Sequence, residues 1–236
     1  TESVLDCPVG EVQEAGRWIR AGDYGELGGA SVHGWGGEIS GGGCQHIAVL
    51  RLFTCSEITQ VTAWGHPDEA LRGDTDEGLI INGLLQLSNG LTCAVFGEPT
   101  PYRGVDVWSR DALVRWDWGP PKIYRGMADD GRRKEIERAY APLAYPQFNY
   151  LGTSILSFLQ VLENGGQLAI SGHDLRQSLE VAIAAKFSAL LGSIPLALPL
   201  QDRSLTLYPR PYRWLGGDQS GRPQSVEEAR DNSQSG

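Results

Sequence analysis

Leu79-Ile80-Ile81-Asn82-Gly83-Leu84-Leu85-Gln86-Leu87-Ser88-Asn89-Gly90-Leu91-Thr92-Cys93-Ala94-Val95-Phe96 is the stretch whose reading decides the fold. Two apolar runs, 79–88 and 91–96, flank Asn89-Gly90. That dipeptide tolerates positive φ at both positions and so predicts a tight two-residue hairpin between two antiparallel strands. A second pair follows. Residues 105–109 and 113–118 read as strands joined near Asp111. Val114, Trp116 and Trp118 alternate with Leu113, Arg115 and Asp117, the two-residue period of a strand with two distinct faces. Four strands in succession predict an antiparallel meander.

Working outward, residues 11–22 read as a helix with Val12, Ala15 and Ile19 on one face and Gly22 as its stop. Residues 27–36 read as extended, 36–43 as a glycine-rich loop, 44–54 as a helix and 57–65 as a strand. The charged run 129–138 reads as an exposed turn or short helix. Residues 147–163 carry an apolar stripe of Phe148, Leu151, Ile155, Leu159 and Leu162, and 174–191 carry Leu175, Leu179, Ile183, Phe187 and Leu190. Ser171 and Asp174 have the spacing of a capping pattern, and Gly192 suits a helix end. A short strand is expected over 196–200.

The expected class is α+β: an open-faced, mainly antiparallel sheet with helices packed on one face. The domain boundaries read as an N-terminal extension or linker remnant over 1–10, one α+β domain over 11–210 and a disordered polar tail over 215–236. Trp108, Trp116 and Trp118 are many large aromatics for a sheet with one uncovered face. That face is therefore expected to bury itself in a homodimer or tetramer.

Composition narrows the function. The 236 residues carry a formal net charge of -9, which disfavours nucleic acid and anionic membranes as partners. No apolar run approaches the ~18 residues needed to span a bilayer. The chain starts at Thr1 and its one methionine is Met127, which reads as a fragment of a longer protein. Cys7, Cys44, Cys55 and Cys93 form no C-x-x-C pair, so no metal site is expected; free thiols fit a cytoplasmic location. No paired carboxylates and no nucleophile with its base point to a hydrolase.

Several strings, in order, resemble the C-terminal domain of the Gfo/Idh/MocA oxidoreductases. They are Trp18-Ile19-Arg20-Ala21-Gly22-Asp23-Tyr24-Gly25-Glu26-Leu27-Gly28; Gly41-Gly42-Gly43 with His46 and Leu50-Arg51-Leu52-Phe53; Leu87-Ser88-Asn89-Gly90; the run 105–113; Ser171-Gly172-His173-Asp174-Leu175-Arg176; and Leu198-Pro199-Leu200-Gln201-Asp202-Arg203. The match runs from about residue 10 to about residue 205. The resemblance implies an NAD- or NADP-dependent oxidoreductase acting on a sugar, polyol or related hydroxy compound. It implies a Rossmann domain upstream that holds the cofactor, with a histidine of the glycine-loop helix or the lysine of that domain's Glu-Lys-Pro motif moving the hydroxyl proton. This chain has no G-x-G-x-x-G and no Glu-Lys-Pro. The family's aspartate would fall at Gly42, and Val49 replaces a second acid.

On that resemblance His46 is the catalytic candidate, a proton-transfer residue or a ligand of the substrate hydroxyl; the alternative is a histidine satisfied by local backbone. Gln45, Trp35 and His33 are the substrate-binding candidates. Gln45 would bond a sugar hydroxyl or stand exposed in the first turn. His33 and Trp35 would line one pocket or simply pack in the sheet. Gly42 and Gly43 are the cofactor-side candidates, as a backbone cradle or as a turn needing positive φ. Cys44 would gain thiolate character from the helix N-terminus, but without a visible base partner it is not expected to be catalytic. His66 and His173 read as structural or exposed. Two functions stay open, the substrate-binding half of an enzyme and a catalytically impaired ligand-binding or dimerisation module; an unrelated α+β enzyme is a third.

Overall fold

The structure is a computed structural model that describes residues 9–36, 38–127, 131, 133–136, 138–140, 150–168 and 170–208. The elements are α1 (Val9–Arg20), β1 (Leu27–His33), α2 (Gly43–Thr54), β2 (Ile58–His66), α3 (Asp68–Arg72), β3 (Ile80–Leu87), β4 (Thr92–Phe96), β5 (Gly104–Ser109), β6 (Ala112–Trp116), β7 (Lys122–Met127), β8 (Arg133–Ile136), α4 (Tyr150–Asn164), α5 (Gly172–Leu190) and β9 (Leu196–Ala197). Residues 1–8 and the tail over 215–236 lie outside the described residues.

The strands form one sheet in the order β8-β7-β6-β5-β1-β4-β3-β2-β9, so the class is α+β with an open-faced, mostly antiparallel sheet. The uninterrupted meander is not found. β3 and β4 pair, and β5 and β6 pair, but β1 lies between the two hairpins, parallel to β4 and antiparallel to β5. Local patterning names strands and their chain neighbours; it does not show that a strand formed much earlier inserts between them. β1 suits that central place: Ala30, Ser31 and Val32 are small or β-branched, and all are buried.

Three local readings change as well. The hairpin loop has three residues, not two. Gly90 N–H donates to Leu87 O at 2.9 Å and Leu87 N–H to Leu91 O at 2.9 Å, while Gly90 alone takes positive φ, at 86°. This is the turn-plus-bulge alternative to the two-residue loop. Residues 133–136 of the charged run form strand β8 on β7, because an edge strand accepts charged side chains that a central one does not. The last strand stops at Ala197, and Leu200 N–H instead meets Glu180 Oε1 at 2.8 Å.

One sheet face carries Ala30, Val32, Val61, Ala63, Ile81, Leu85, Cys93, Val95, Val105, Val107, Val114 and Trp116, all buried. α2 and α5 cover it, and α1 packs on α2. α2 is buried nearly all round, with Ile47, Leu50 and Phe53 wholly inaccessible, so it is a core helix and not an amphipathic one. Each such side chain contributes about 1.5–3 kcal/mol by leaving water. α5 starts on the expected cap: Asp174 N–H donates to Ser171 Oγ and Ser171 N–H returns a bond to Asp174 Oδ2 at 2.8 Å. Arg51 near the end of α2 ties into this cap, donating to Asp174 Oδ1 at 2.9 Å and to Glu57. α4 does not cover the sheet as expected: Ile155, Phe158, Leu159 and Leu162 on its stripe are exposed.

The opposite face is open, with Trp64, Leu84, Phe96 and Trp108 exposed on it. Trp116 does not belong to that face. It is fully buried against α2, since its register on β6 matches Val114 and not Arg115.

Candidate active site

The chain leaves β1 at His33, makes a turn, and enters α2 through the glycine loop. Trp35 is buried, and its indole N–H donates to Gly43 O at 3.0 Å. A Cβ on Gly43 would lie 2.7 Å from Trp35 Nε1 and 3.0 Å from Glu38 O, so only glycine lets the helix start press onto this indole. None of Gly41, Gly42 and Gly43 takes positive φ; Gly42 sits at φ -57°, ψ -30°. Close approach, and not a left-handed turn, is thus what requires glycine at position 43.

The loop is tied from behind. Ser40 N–H and O–H both donate to Asp76 Oδ2 at 2.7 Å. Asp76 is inaccessible, and its own N–H donates to Tyr208 O at 3.0 Å. Buried Lys186 on α5 donates to Gly73 O and, at 3.4 Å, to Thr75 O, which holds the Asp76 loop in turn. Asp76 was not legible as a scaffold residue: it stands among the turn-type acids of 68–77, and only the fold brings it under Ser40.

The loop amides are used within the loop. Gly41 and Gly43 N–H donate to Glu38 O at 3.2 and 2.9 Å, Cys44 N–H to Gly41 O, and Gln45 N–H to Gly42 O. The amides of Gly41, Gly43, Cys44 and Gln45 are therefore not free for a phosphate. The Cys44 thiol donates to Ser40 O at 3.2 Å, and burial above all, with the Asp76 charge added, pushes it up to about 12. At the helix start burial outweighs the positive end of the dipole, and Cys44 is no nucleophile.

Gln45 and His46 follow in the first turn, 2% and 3% exposed. The amide oxygen and nitrogen of Gln45 and both ring nitrogens of His46 have no hydrogen-bond partner among the described residues. The one local backbone group that acts on His46 is that of Gly42, without the geometry of a full hydrogen bond, and Gln45 is not an exposed first-turn residue. His46 meets Trp116 edge-on with centroids 5.8 Å apart and Trp118 at 5.5 Å. Trp116 Nε1 is likewise buried without a partner among the described residues. Burial chiefly, then the Arg103 charge, pushes His46 down to about 4; its contact with the Gly42 backbone opposes this. At neutral pH the ring is uncharged, with one N–H donor and one bare nitrogen. Two surface clefts, of about 310 and 190 Å³, lie along Arg51, and His46 lines neither.

His33 lies elsewhere. Its side chain is on the open sheet face, where its Nε2 is 2.8 Å from Ser31 Oγ and 3.8 Å from Asp106 Oδ2. Asp106 accepts from Arg115 Nε at 3.0 Å and Nη2 at 2.9 Å and from the Tyr102 hydroxyl at 2.5 Å. Phe96 stacks on the His33 ring at 5.3 Å. Burial lowers the His33 pKa, with the Asp106 charge opposing. Trp35 and His33 therefore do not line one pocket: the strand ends between them, and Trp35 turns into the core. Trp116 and Trp118 are the aromatic neighbours of His46 that sequence reasoning had placed on the open face. His66 is exposed and paired with Glu98 at 2.8 Å, and His173 is exposed.

No family model matches the chain, and no curated protein matches it. Solved structures do share its fold. An aldose-aldose oxidoreductase from Caulobacter crescentus complexed with glycerol is 18% identical with a TM-score of 0.62, over 80% of this chain and 61% of that one. A levoglucosan dehydrogenase in complex with NADH and levoglucosan is 14% identical with a TM-score of 0.60, over 81% and 64%. A UDP-N-acetylglucosamine 3-dehydrogenase from Acidithiobacillus ferrooxidans is 15% identical with a TM-score of 0.53, over 76% and 60%. These neighbours are Gfo/Idh/MocA-type oxidoreductases, and the chain has the fold they share. It spans less than two thirds of their length.

Proposed function

We propose that this chain is the substrate-binding and oligomerisation part of an NAD(P)-dependent oxidoreductase acting on a sugar, polyol or related hydroxy compound. The observation that carries the reading is the buried His46, with both ring nitrogens unpartnered among the described residues beside the unpartnered indole N–H of Trp116. Buried polar groups left without partners are rare in folded proteins and mark a place that a ligand or water completes. A hydroxyl fits, since it both donates and accepts. Being neutral and hard to protonate, His46 serves here as the group that orients the substrate hydroxyl and not as a strong base. The hydride chemistry of such an enzyme belongs to its nicotinamide. In this reading the cofactor is held mainly by another domain, since the amides of Gly41, Gly43, Cys44 and Gln45 are used within the loop.

The exposed stripe of Trp64, Leu84, Phe96 and Trp108 supports the second half of the reading, a homodimer or tetramer through the open sheet face. A second reading, a catalytically impaired binding module of the same fold, is favoured by one observation: among the described residues, no carboxylate is a main influence on His46 that would stabilise its charged form.

The deciding experiment is His46→Ala in the protein that carries the nicotinamide domain. A lost hydroxyl contact of about 1–3 kcal/mol lowers kcat/KM for a polyol by roughly 5- to 150-fold. NADH affinity is expected to stay unchanged. Wild-type kcat/KM in this variant would remove His46 from the site, and turnover absent from the unmutated enzyme with polyol binding retained would establish the binding module instead.

A further inference from the structure

The helix that carries His46 begins without a side-chain cap of its own. Position 42 is a glycine, with no side chain to accept a first-turn N–H. The first-turn amides bond to the loop instead, Cys44 N–H to Gly41 O at 3.1 Å and Gln45 N–H to Gly42 O at 3.2 Å. The place of the helix start is therefore set by the place of the loop. A loop with glycines at 36, 41, 42 and 43 loses much conformational entropy when it is fixed, so it needs ties from outside. One tie is the Trp35 indole on Gly43 O, and the other is Asp76.

Asp76 lies 36 residues from Ser40, between α3 and β3. Its inaccessible carboxylate takes both the N–H and the hydroxyl of Ser40 on one oxygen, Oδ2. Ser40 O in turn accepts the Cys44 thiol at 3.2 Å, so carboxylate, Ser40 and the first turn of α2 form one chain of contacts. Behind it the 74–76 segment is braced twice. Tyr208 N–H donates to Asp74 O and Asp76 N–H to Tyr208 O, both at 3.0 Å. Lys186, 3% exposed, donates to Gly73 O and Thr75 O. Burial lowers the Lys186 pKa, and the Asp74 and Asp76 charges oppose this. A buried carboxylate is costly unless it is hydrogen-bonded and balanced by a cation. Asp76 meets both conditions, and its side chain is spent on one loop.

We propose that Asp76 is a positioning residue of the His46 site: its buried carboxylate, braced by Lys186 and Tyr208, replaces the missing helix cap and fixes where the first turn of α2 holds the His46 ring. It acts through Ser40 and the loop. Such a tie matters to chemistry because a displacement of about 1 Å at a reacting group costs on the order of 100-fold in rate. The consequence for turnover rests on the hydroxy-compound reading above; the anchoring of His46 does not.

The test is the pH titration of the His46 ring by NMR in the histidine-labelled chain. In the native protein burial holds this ring at about 4, so its signal is expected to stay nearly flat from about pH 8 down to about pH 5. Asp76→Ala is expected to bring its midpoint above about 5, toward the ordinary 6.5, as the loosened first turn lets water reach the ring. Loss of a carboxylate charge by itself moves a histidine the other way, so a rise reads displacement and not electrostatics. Asp76→Asn keeps an acceptor for Ser40 and is expected to restore the flat response. Ser40→Ala is expected to give a smaller rise, and it decides the question if Asp76→Ala does not fold. Leu85→Ala, a core truncation on β3, is expected to lower the melting temperature and leave His46 flat. A flat His46 in folded Asp76→Ala, or in Ser40→Ala where Asp76→Ala does not fold, overturns the positioning role. So does an equal rise in Leu85→Ala, which would mean general loosening, or an Asp76→Asn ring as displaced as that of Asp76→Ala. The titration needs no ligand, so its failure is distinct from a failure of the His46→Ala turnover test.

Discussion

Two histidines sit on opposite faces of the same sheet, each against aromatic rings, and their surroundings differ in one respect. His33 on the open face has Ser31, Asp106 and, through Asp106, Arg115 and Tyr102. His46 on the helix side has rings around it and no hydrogen-bond partner among the described residues. A satisfied cluster is already complete and stabilises the fold or an interface. An unsatisfied one costs stability until something binds, which is the signature of a site. The difference teaches that completeness of hydrogen bonding, and not residue type, separates the two.

The largest effect is expected from breaking the complete cluster. Asp106→Ala leaves Arg115, Tyr102 and His33 without their common acceptor. Because Asp106 is buried but Arg115 is partly exposed, the loss is about 2–3 kcal/mol, read as a lower urea midpoint at constant m. A loss no larger than that of an exposed surface substitution would show the cluster to be idle.

The opposite sign is expected at His46. His46→Leu replaces two unpartnered nitrogens by apolar atoms of similar volume and is expected to stabilise the chain by about 1–2 kcal/mol while ending ligand binding. Its pH dependence sharpens the contrast. The folded-state pKa of His46, about 4, lies below its ordinary 6.5, so folding favours the neutral ring. Stability from this group is complete above 6.5 and falls as pH drops toward about 4, by at most about 1.4 kcal/mol per pH unit. The slope is expected in unfolding curves of the native chain over that window and to shrink in His46→Leu. A variant as steep as the native chain would assign the slope to other groups.

The smallest effect concerns the open face around the His33 cluster. If two copies meet there, Leu84→Asp places a charge within the exposed apolar stripe and is expected to weaken the dimer by roughly tenfold in Kd, about 1.4 kcal/mol. Light scattering over a concentration series reads this directly. A native chain that stays monomeric at micromolar concentration would leave the open face without a partner copy.

Much of the architecture was legible. The helix over 11–22, the glycine loop and its helix, the two hairpins and the Ser171 cap follow from periodicity, turn residues and capping chemistry, all of which act over a few residues. The site was legible only in part. His46 and Gln45 were picked out, but their burial was not, because α2 is enclosed by elements far away in the chain. Trp116 and Trp118 showed their alternation, yet nothing local tells which sheet face a helix will cover. Asp76 and Lys186, which hold the loop from behind, gave no signal among ordinary turn acids and helix residues.

By itself the sequence determined the type and order of most elements and the α+β class, since hydrogen bonding and side-chain periodicity within a segment are local. Only the tertiary structure decided that β1 separates the two hairpins, that Gly43 serves close packing under Trp35, and that His33 is complete while His46 is not. Those facts depend on which distant residues come to share one small volume, and burial and partnership exist only once they do.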